Sequence, residues 1–418
     1  MRRKFLALFI LSLVFSLIQI PALALVKPGS VCPKTGQIRI YAGMKYTCIK
    51  SGKKLVWNKG VAVPKPTPSP TKPTAIGDPI GAVGSTPSPT PTPTPTTTTF
   101  TPLEPTNILN LDKEYEGVAY WAWKKSSDQI ASASSLNSNF EIVIGPNSGI
   151  LNKFPKEATD LTSKLYSSSD LKAKNYFVSF SHQDSDWAEK KLEELLADQA
   201  QVDRIRKQQT RPEDRMTYWI CPSVEKCHSS TVAINKYGIS ITLAGFTPSR
   251  TSDINETQGW LQSHEYAHII QNRQFLGTSR EDGGTISSGM YMPDWMIEGG
   301  ADFSAYASTH HASLSDYLKA RQTDIERVPK QNAAWFENFL TLSNAESSKL
   351  TSGEIYNIGF MVNEIFASLK GPNVQMELFK AVAKGKSFDQ AFEDIFGTPW
   401  KSAVPIIARV LANVRAKG

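Results

Sequence analysis

The 418-residue chain reads as an α+β protein whose main domain has two lobes, a sheet-bearing N-terminal one and a helical C-terminal one. Three observations lead there. Up to about Arg250, strand-like runs (residues 140–144 and 176–180) mix with helix-like ones, the longest from Asp186 to about Arg206. Beyond Asp253 helical patterns dominate. Ahead of both lies a stretch rich in Pro, Thr and Ser, from Val61 to about Thr106, which cannot bury a core.

Residues 1–24 carry a charged start (Arg2, Arg3, Lys4), an apolar run over 5–20 and a Pro21-Ala-Leu-Ala24 cleavage site. This is the layout of a signal peptide, with cleavage expected after Ala24, so the chain is read as secreted or held at the cell surface. The membrane enters only if the apolar run is retained as an anchor.

Residues 25–60 alternate turn residues with short β-type runs and are too few to fold without a staple. Cys32 and Cys48 flank one segment, and Cys221 and Cys227 another. An even count in an exported chain favours two local disulfides. Neither pair has the two-residue spacing of a zinc knuckle, and His228 adjoins Cys227 rather than standing apart from it, which argues against a Cys-based metal site. The module resembles short Cys-paired modules at the front of secreted bacterial proteins. Its lysines and Trp57 could contact an acidic cell-envelope polymer, or the module is a passive spacer. Residues 61–106 form a linker that favours extended polyproline II, with a reach on the order of 100 Å at about 3.1 Å per residue. Residues 107–250 make the α/β lobe and 251–418 the helical lobe.

The most specific pattern is His264-Glu-Tyr-Ala-His268. On a helix, positions i and i+4 share a face, so His264 and His268 can hold one ion with Glu265 beside it as a general base. Catalytic zinc usually takes three protein ligands. The metzincin arrangement fails, because Gln274 stands where its third ligand would be and Gln271 where it needs Gly. Glu298 is the candidate, following Pro293 and the apolar Trp295-Met-Ile297 in a second buried helix. Asp302, at i+4 from Glu298, could accept a hydrogen bond from a ligand imidazole. Gly299, Gly300 and Ala301 would let this helix approach the metal helix closely. Asp253 and Glu256 offer the metal helix a capping box, and Gly277 should end it near Leu276.

HExxH followed by Trp295-x-x-Glu298-Gly299-x-Ala301-Asp302 resembles the gluzincin, or peptidase MA-like, metallopeptidases. The resemblance covers roughly residues 107–418, and the segment from Gly385 to Gly397 is similar to the closing helices of such domains. It implies one zinc ion on His264, His268 and Glu298, with Asp302 orienting a ligand His. Tyr356-Asn-Ile-Gly359 is similar to the segment whose tyrosine stabilises the oxyanion in the aminopeptidase branch. The implied reaction is hydrolysis of a peptide or protein substrate by a metal-activated water, with Glu265 carrying the proton.

Substrates of such enzymes lie along an edge strand, for which residues 239–246 are the candidate. That run lacks an acid to anchor a free amino terminus, which favours an endopeptidase. An aminopeptidase and a non-catalytic envelope-binding protein are the alternatives. His310 and His311 could supply an oxyanion donor or a spare ligand but read better as a solvated helix end, and His182 and His228 belong to no pattern. A net charge of +7 with dispersed lysines and arginines reads as solubility or weak attraction to an anionic envelope, and no nucleic acid is expected as a partner.

Overall fold

The computed structural model describes residues 28–62 except 33, 36–37 and 42–43, and residues 101–417 except 135, 137–138, 152–154, 200–201, 204–210, 212–213, 251–256 and 282–289. The segment 1–24, the linker over 63–100 and the capping pair Asp253 and Glu256 lie outside the described residues. The chain divides into two compact units, one up to Pro95 and one from Thr96.

In the first unit, β1 (Ile38–Tyr41), β2 (Met44–Ser51), β3 (Lys54–Trp57) and β4 (Val61–Ala62) pair antiparallel about β2. Cys48 and Trp57 face each other across β2 and β3, and both are buried with Tyr46. Among the described residues, those and Cys32 form the buried cluster. So small a core needs the Cys32–Cys48 disulfide, which is present.

The second unit is mixed α+β and mostly helical. Counting helices of five residues or more, it runs α1 (Val118–Ser132), β5 (Phe140–Ile144), α2 (Pro155–Leu165), β6 (Asn175–Phe180), α3 (Ser185–Leu196), α4 (Met216–Ile220), β7 (Ser230–Ile234) and β8 (Ser240–Gly245). There follow α5 (Trp260–Arg273), α6 (Asp294–Thr309), α7 (Leu314–Arg327), α8 (Ala333–Thr341), α9 (Ser352–Lys370), α10 (Val374–Ala383), α11 (Phe388–Phe396) and α12 (Trp400–Lys417).

The sheet order is β5-β6-β8-β7, with β7 alone antiparallel. The run expected at the edge, residues 239–246, therefore forms an interior strand, and β7 takes the edge. Every residue of β8 is buried, which suits a strand paired on both sides. A tight turn returns β7 to β8: Gly238 has a φ of 79°, and Asn235 Oδ1 accepts from the backbone N–H of Tyr237 and Ile239.

One sheet face packs Phe180, Leu243 and Ala233 against Leu192 of α3 and Ile220 of α4. The alternate residues of β7, Val232 and Ile234, turn to the other face and join Tyr266 and Ile270 of α5 in the main core. That core also takes in Val118 of α1 and Leu165 of α2, so helices from both halves of the sequence build it. The second disulfide, Cys221–Cys227, closes a loop just before β7. Among the described residues no helix is long and apolar enough to cross a membrane.

Candidate metal centre

From Gln262 to Arg273 every residue of α5 is buried, including six polar or charged ones besides the two histidines. Such a helix is stable only if its polar groups find partners. Its far end is tied to the sheet by Arg273, whose guanidinium donates to Asp170 Oδ1 at 2.7 Å, Asn175 Oδ1 at 2.6 Å and the Gly238 carbonyl at 2.9 Å. Neither the Arg273 nor the Asp170 side chain is exposed at all. The described helix runs from Trp260, and Gly259 enters it with a φ of 88°. It ends at Arg273, one turn short of Leu276, and the chain turns through to Gly277 at a φ of 70°.

His264 and His268 lie one turn apart on α5, and Glu298 reaches them from α6. His264 Nε2 and His268 Nε2 are 3.1 Å apart, and Glu298 Oε2 is 3.6 Å from the first and 3.3 Å from the second. Among the described residues these three form the one group able to hold a metal ion. A four-coordinate tetrahedral ion with bonds of about 2.0–2.1 Å needs donor atoms about 3.3–3.4 Å apart, which this triangle matches. The Glu298 side chain is 29% exposed against 5% and 11% for the histidines, so the centre opens to solvent on its side.

The other ring nitrogens are engaged. His264 Nδ1 is 2.8 Å from Asp302 Oδ1, and His268 Nδ1 donates to Gln271 Oε1 at 2.9 Å. Gln271 in turn donates to the Ile297 carbonyl at 3.0 Å, linking α5 to α6. Both imidazoles are thus oriented with Nε2 toward the shared centre, the arrangement that outer-shell partners impose on metal-binding histidines. Burial works against charge on His264, but the Asp302 hydrogen bond and the neighbouring Glu298 outweigh it and raise its pKa to about 10. His268 is raised against burial in the same direction, chiefly by Glu298. Glu298 is held well below the carboxylate range, since the two histidines overcome its burial. Asp302 rises to about 6, burial outweighing its bond to His264. The cluster is short of positive charge at its centre, and a proton or a cation can supply it.

Glu265 points from α5 to the edge strand, where its Oε1 accepts from Ser230 Oγ at 2.7 Å. Tyr356, in the opening turns of α9, lays its ring parallel to that of His264 with centroids 5.8 Å apart. Burial, then the charge of Glu298, push its hydroxyl pKa upward, so it stays a donor at neutral pH. On the same imidazole Trp260 stacks at 5.2 Å. Beyond Trp260 a cavity of about 760 Å³ opens, lined also by Tyr306, His310, Asp316, Asp324 and Arg327.

All six residues singled out in the sequence, His264, Glu265, His268, Glu298, Asp302 and Tyr356, meet in this region. The small residues of α6 serve two neighbours. A Cβ on Gly299 would collide with the Gly359 backbone of α9, the helix of Tyr356, while a Cβ on Gly300 would come within 3.3 Å of Gln271 Nε2 on the metal helix. His310 and His311 sit at the end of α6, where His311 Nδ1 bonds the Ser308 carbonyl at 2.8 Å. His182 Nδ1 is 2.8 Å from the Cys221 carbonyl. None of the three belongs to the ligand group.

Three residues were not foreseen: Ser230, Gln271 and Trp260. Gln271 and Trp260 carried a signal, at i+3 from His268 and i−4 from His264, positions that share their face of the helix. Ser230 carried none.

No family model, curated protein sequence or solved structure matches the chain.

Proposed function

We propose that the protein is a secreted or surface-tethered zinc-dependent endopeptidase of gluzincin-like architecture. The observation that carries this reading is the His264, His268 and Glu298 triangle beside a glutamate, Glu265, held against the sheet's edge strand. His264, His268 and Glu298 would hold the ion, which when bound supplies a Lewis acid that polarises a carbonyl and makes a water more acidic. Donor spacing suits tetrahedral coordination, and two imidazoles with a carboxylate are a common zinc set.

The chain's own residues divide the remaining work. Glu265 accepts the proton of the attacking water and returns it to the leaving amine. Tyr356, kept protonated, donates a hydrogen bond to the oxygen that gains charge. Asp302 and Gln271 hold the two imidazoles in the tautomer that leaves Nε2 free for the ion.

An extended peptide would pair with β7. Gly245 N–H bonds the Ser229 carbonyl, and Asn235 N–H the Ile239 carbonyl, each at 2.9 Å. In an antiparallel pair such bonded positions alternate, so Ser230, Val232 and Ile234 direct their backbone groups away from β8, toward the rim of the sheet. Strand addition there would run a substrate past Glu265. β7 has no acidic residue to fix a free amino terminus, which supports an endopeptidase over an aminopeptidase. The two disulfides suit an oxidising compartment outside the cytosol.

The test is the metal content of the protein and its cleavage of an unstructured protein substrate, for the wild type and for Glu265→Gln. Zinc at one equivalent in both, with cleavage in the wild type alone, is expected. Absence of bound metal from both would defeat the proposal.

A further inference from the structure

The chain's positive charge is not evenly dispersed. Between Leu25 and Ala62 there are 8 Lys and Arg residues and no Asp or Glu. Of the chain's 46 Lys and Arg, those 8 and the 3 before Leu25 leave 35 from residue 63 onward, against all 39 Asp and Glu. A small cationic unit is therefore joined, through a Pro- and Thr-rich stretch, to a mildly anionic domain.

Lys34, Lys50, Lys53, Lys54 and Lys59 are exposed. Lys50, Lys53 and Lys54 crowd the tip of the β2–β3 hairpin, where Ser51 pairs with Lys54 and Gly52 turns the chain at a φ of 60°. With no acid between Leu25 and Ala62, nothing within that stretch can neutralise them. Like charges packed into one turn repel and cost stability, so a counterion outside the unit is the favourable partner.

Among the described side chains the rings that would stack on a neutral sugar are withdrawn: Trp57 is 5% exposed and Tyr46 8%. Among the described side chains of residues 28–62 the exposed large apolar groups are Val31, Ile49 and Val61, too little for insertion into a lipid surface. Lysines are compact point charges that do not demand a planar bidentate partner. Spread over a hairpin, they fit anionic groups repeated along a chain better than one small anion.

We infer that residues 28–62 bind an anionic glycopolymer of the cell envelope, one bearing repeated phosphodiester or carboxylate groups, through Lys50, Lys53, Lys54 and Lys59. This is independent of the peptidase reading.

The test measures binding of the chain from Leu25 onward to polygalacturonate and to long-chain polyphosphate, with neutral dextran and phosphatidylglycerol-containing vesicles as controls. Binding to either polyanion, weakening steadily as salt rises, is expected, because each neutralised charge releases a counterion. Changing Lys50, Lys53, Lys54 and Lys59 together to Gln should weaken it by about tenfold or more, and changing the four to Arg should preserve it. An intact Cys32–Cys48 bond by mass would certify the fold of each variant. If the Gln variant fails to fold, the Arg variant and the salt dependence of the wild type decide. Absent binding to both polymers, binding unaffected by salt or by the Gln changes, or binding to vesicles alone would each overturn the inference.

Discussion

Ser230 Oγ donates to Glu265 Oε1 at 2.7 Å, tying the edge strand to the metal helix through a buried hydroxyl. A hydrogen bond to a charged group contributes about 1.5–3 kcal/mol. Ser230→Ala should therefore lower kcat/KM for peptide cleavage by about tenfold or more while leaving metal content unchanged. A variant that keeps full activity would show that Glu265 is positioned by something else.

Asp302 and Gln271 hold the outer nitrogens of the two histidines. Removing such partners typically weakens metal affinity by about 10–100-fold. Asp302→Asn and Gln271→Leu are each expected to fall in that range, read by competition with a chromophoric chelator. Equal affinity in wild type and both variants would reduce these contacts to packing.

Metal uptake should be pH-dependent. The raised pKa values of His264 and His268 mean that protons occupy the imidazoles when no metal is bound, and the ion must displace them. Affinity is then expected to rise as pH rises toward about 10, the value for His264. Calorimetric titrations in buffers of different ionisation enthalpy would count the protons released, and a count of zero at neutral pH contradicts the expectation.

Gly299→Ala places a methyl group against the Gly359 backbone, which cannot rotate aside. Overpacking of this kind costs about 1–3 kcal/mol, so the denaturation midpoint should fall. Gly353→Ala, also in α9, meets only Asn357 Nδ2 at 3.9 Å. There the change should be neutral or stabilise by up to about 1 kcal/mol through helix propensity. Equal effects at the two sites would contradict the crossing described.

Arg273 and Asp170 form a wholly buried ion pair. Breaking such a pair from one side costs about 3–5 kcal/mol, because the other charge is left without a partner. Arg273→Met should destabilise the second unit by that amount in chemical denaturation.

What could be read from the sequence follows from range. His264 with His268, and Glu298 with Asp302, are pairs within single helices, where the 3.6-residue period alone sets a shared face. The convergence of the two pairs needed a motif resemblance as well. The Ser230–Glu265 contact spans 35 residues and depends on how a hairpin lies against a helix, and nothing in a serine announces that. The edge strand was misplaced for a related reason: a β-rich run reads alike at the rim or the middle of a sheet. Ser240-Ile241-Thr242-Leu243 even alternates polar with apolar, the pattern of a half-exposed strand, although every residue of 240–245 is buried. Likewise the small residues after Glu298 announced a close approach without naming the neighbour.

The contact of Gly299 with Gly359 sets the spacing between Glu298 and Tyr356 by main-chain atoms, one residue before and three residues before the touching point. Beyond Trp260, by contrast, there is a cavity of about 760 Å³. Room for inherited change is therefore lopsided. Descendants of this chain can alter the side chains that line the cavity without meeting a main-chain contact, while on the Tyr356 side drift halts at a pair of residues that have no smaller replacement.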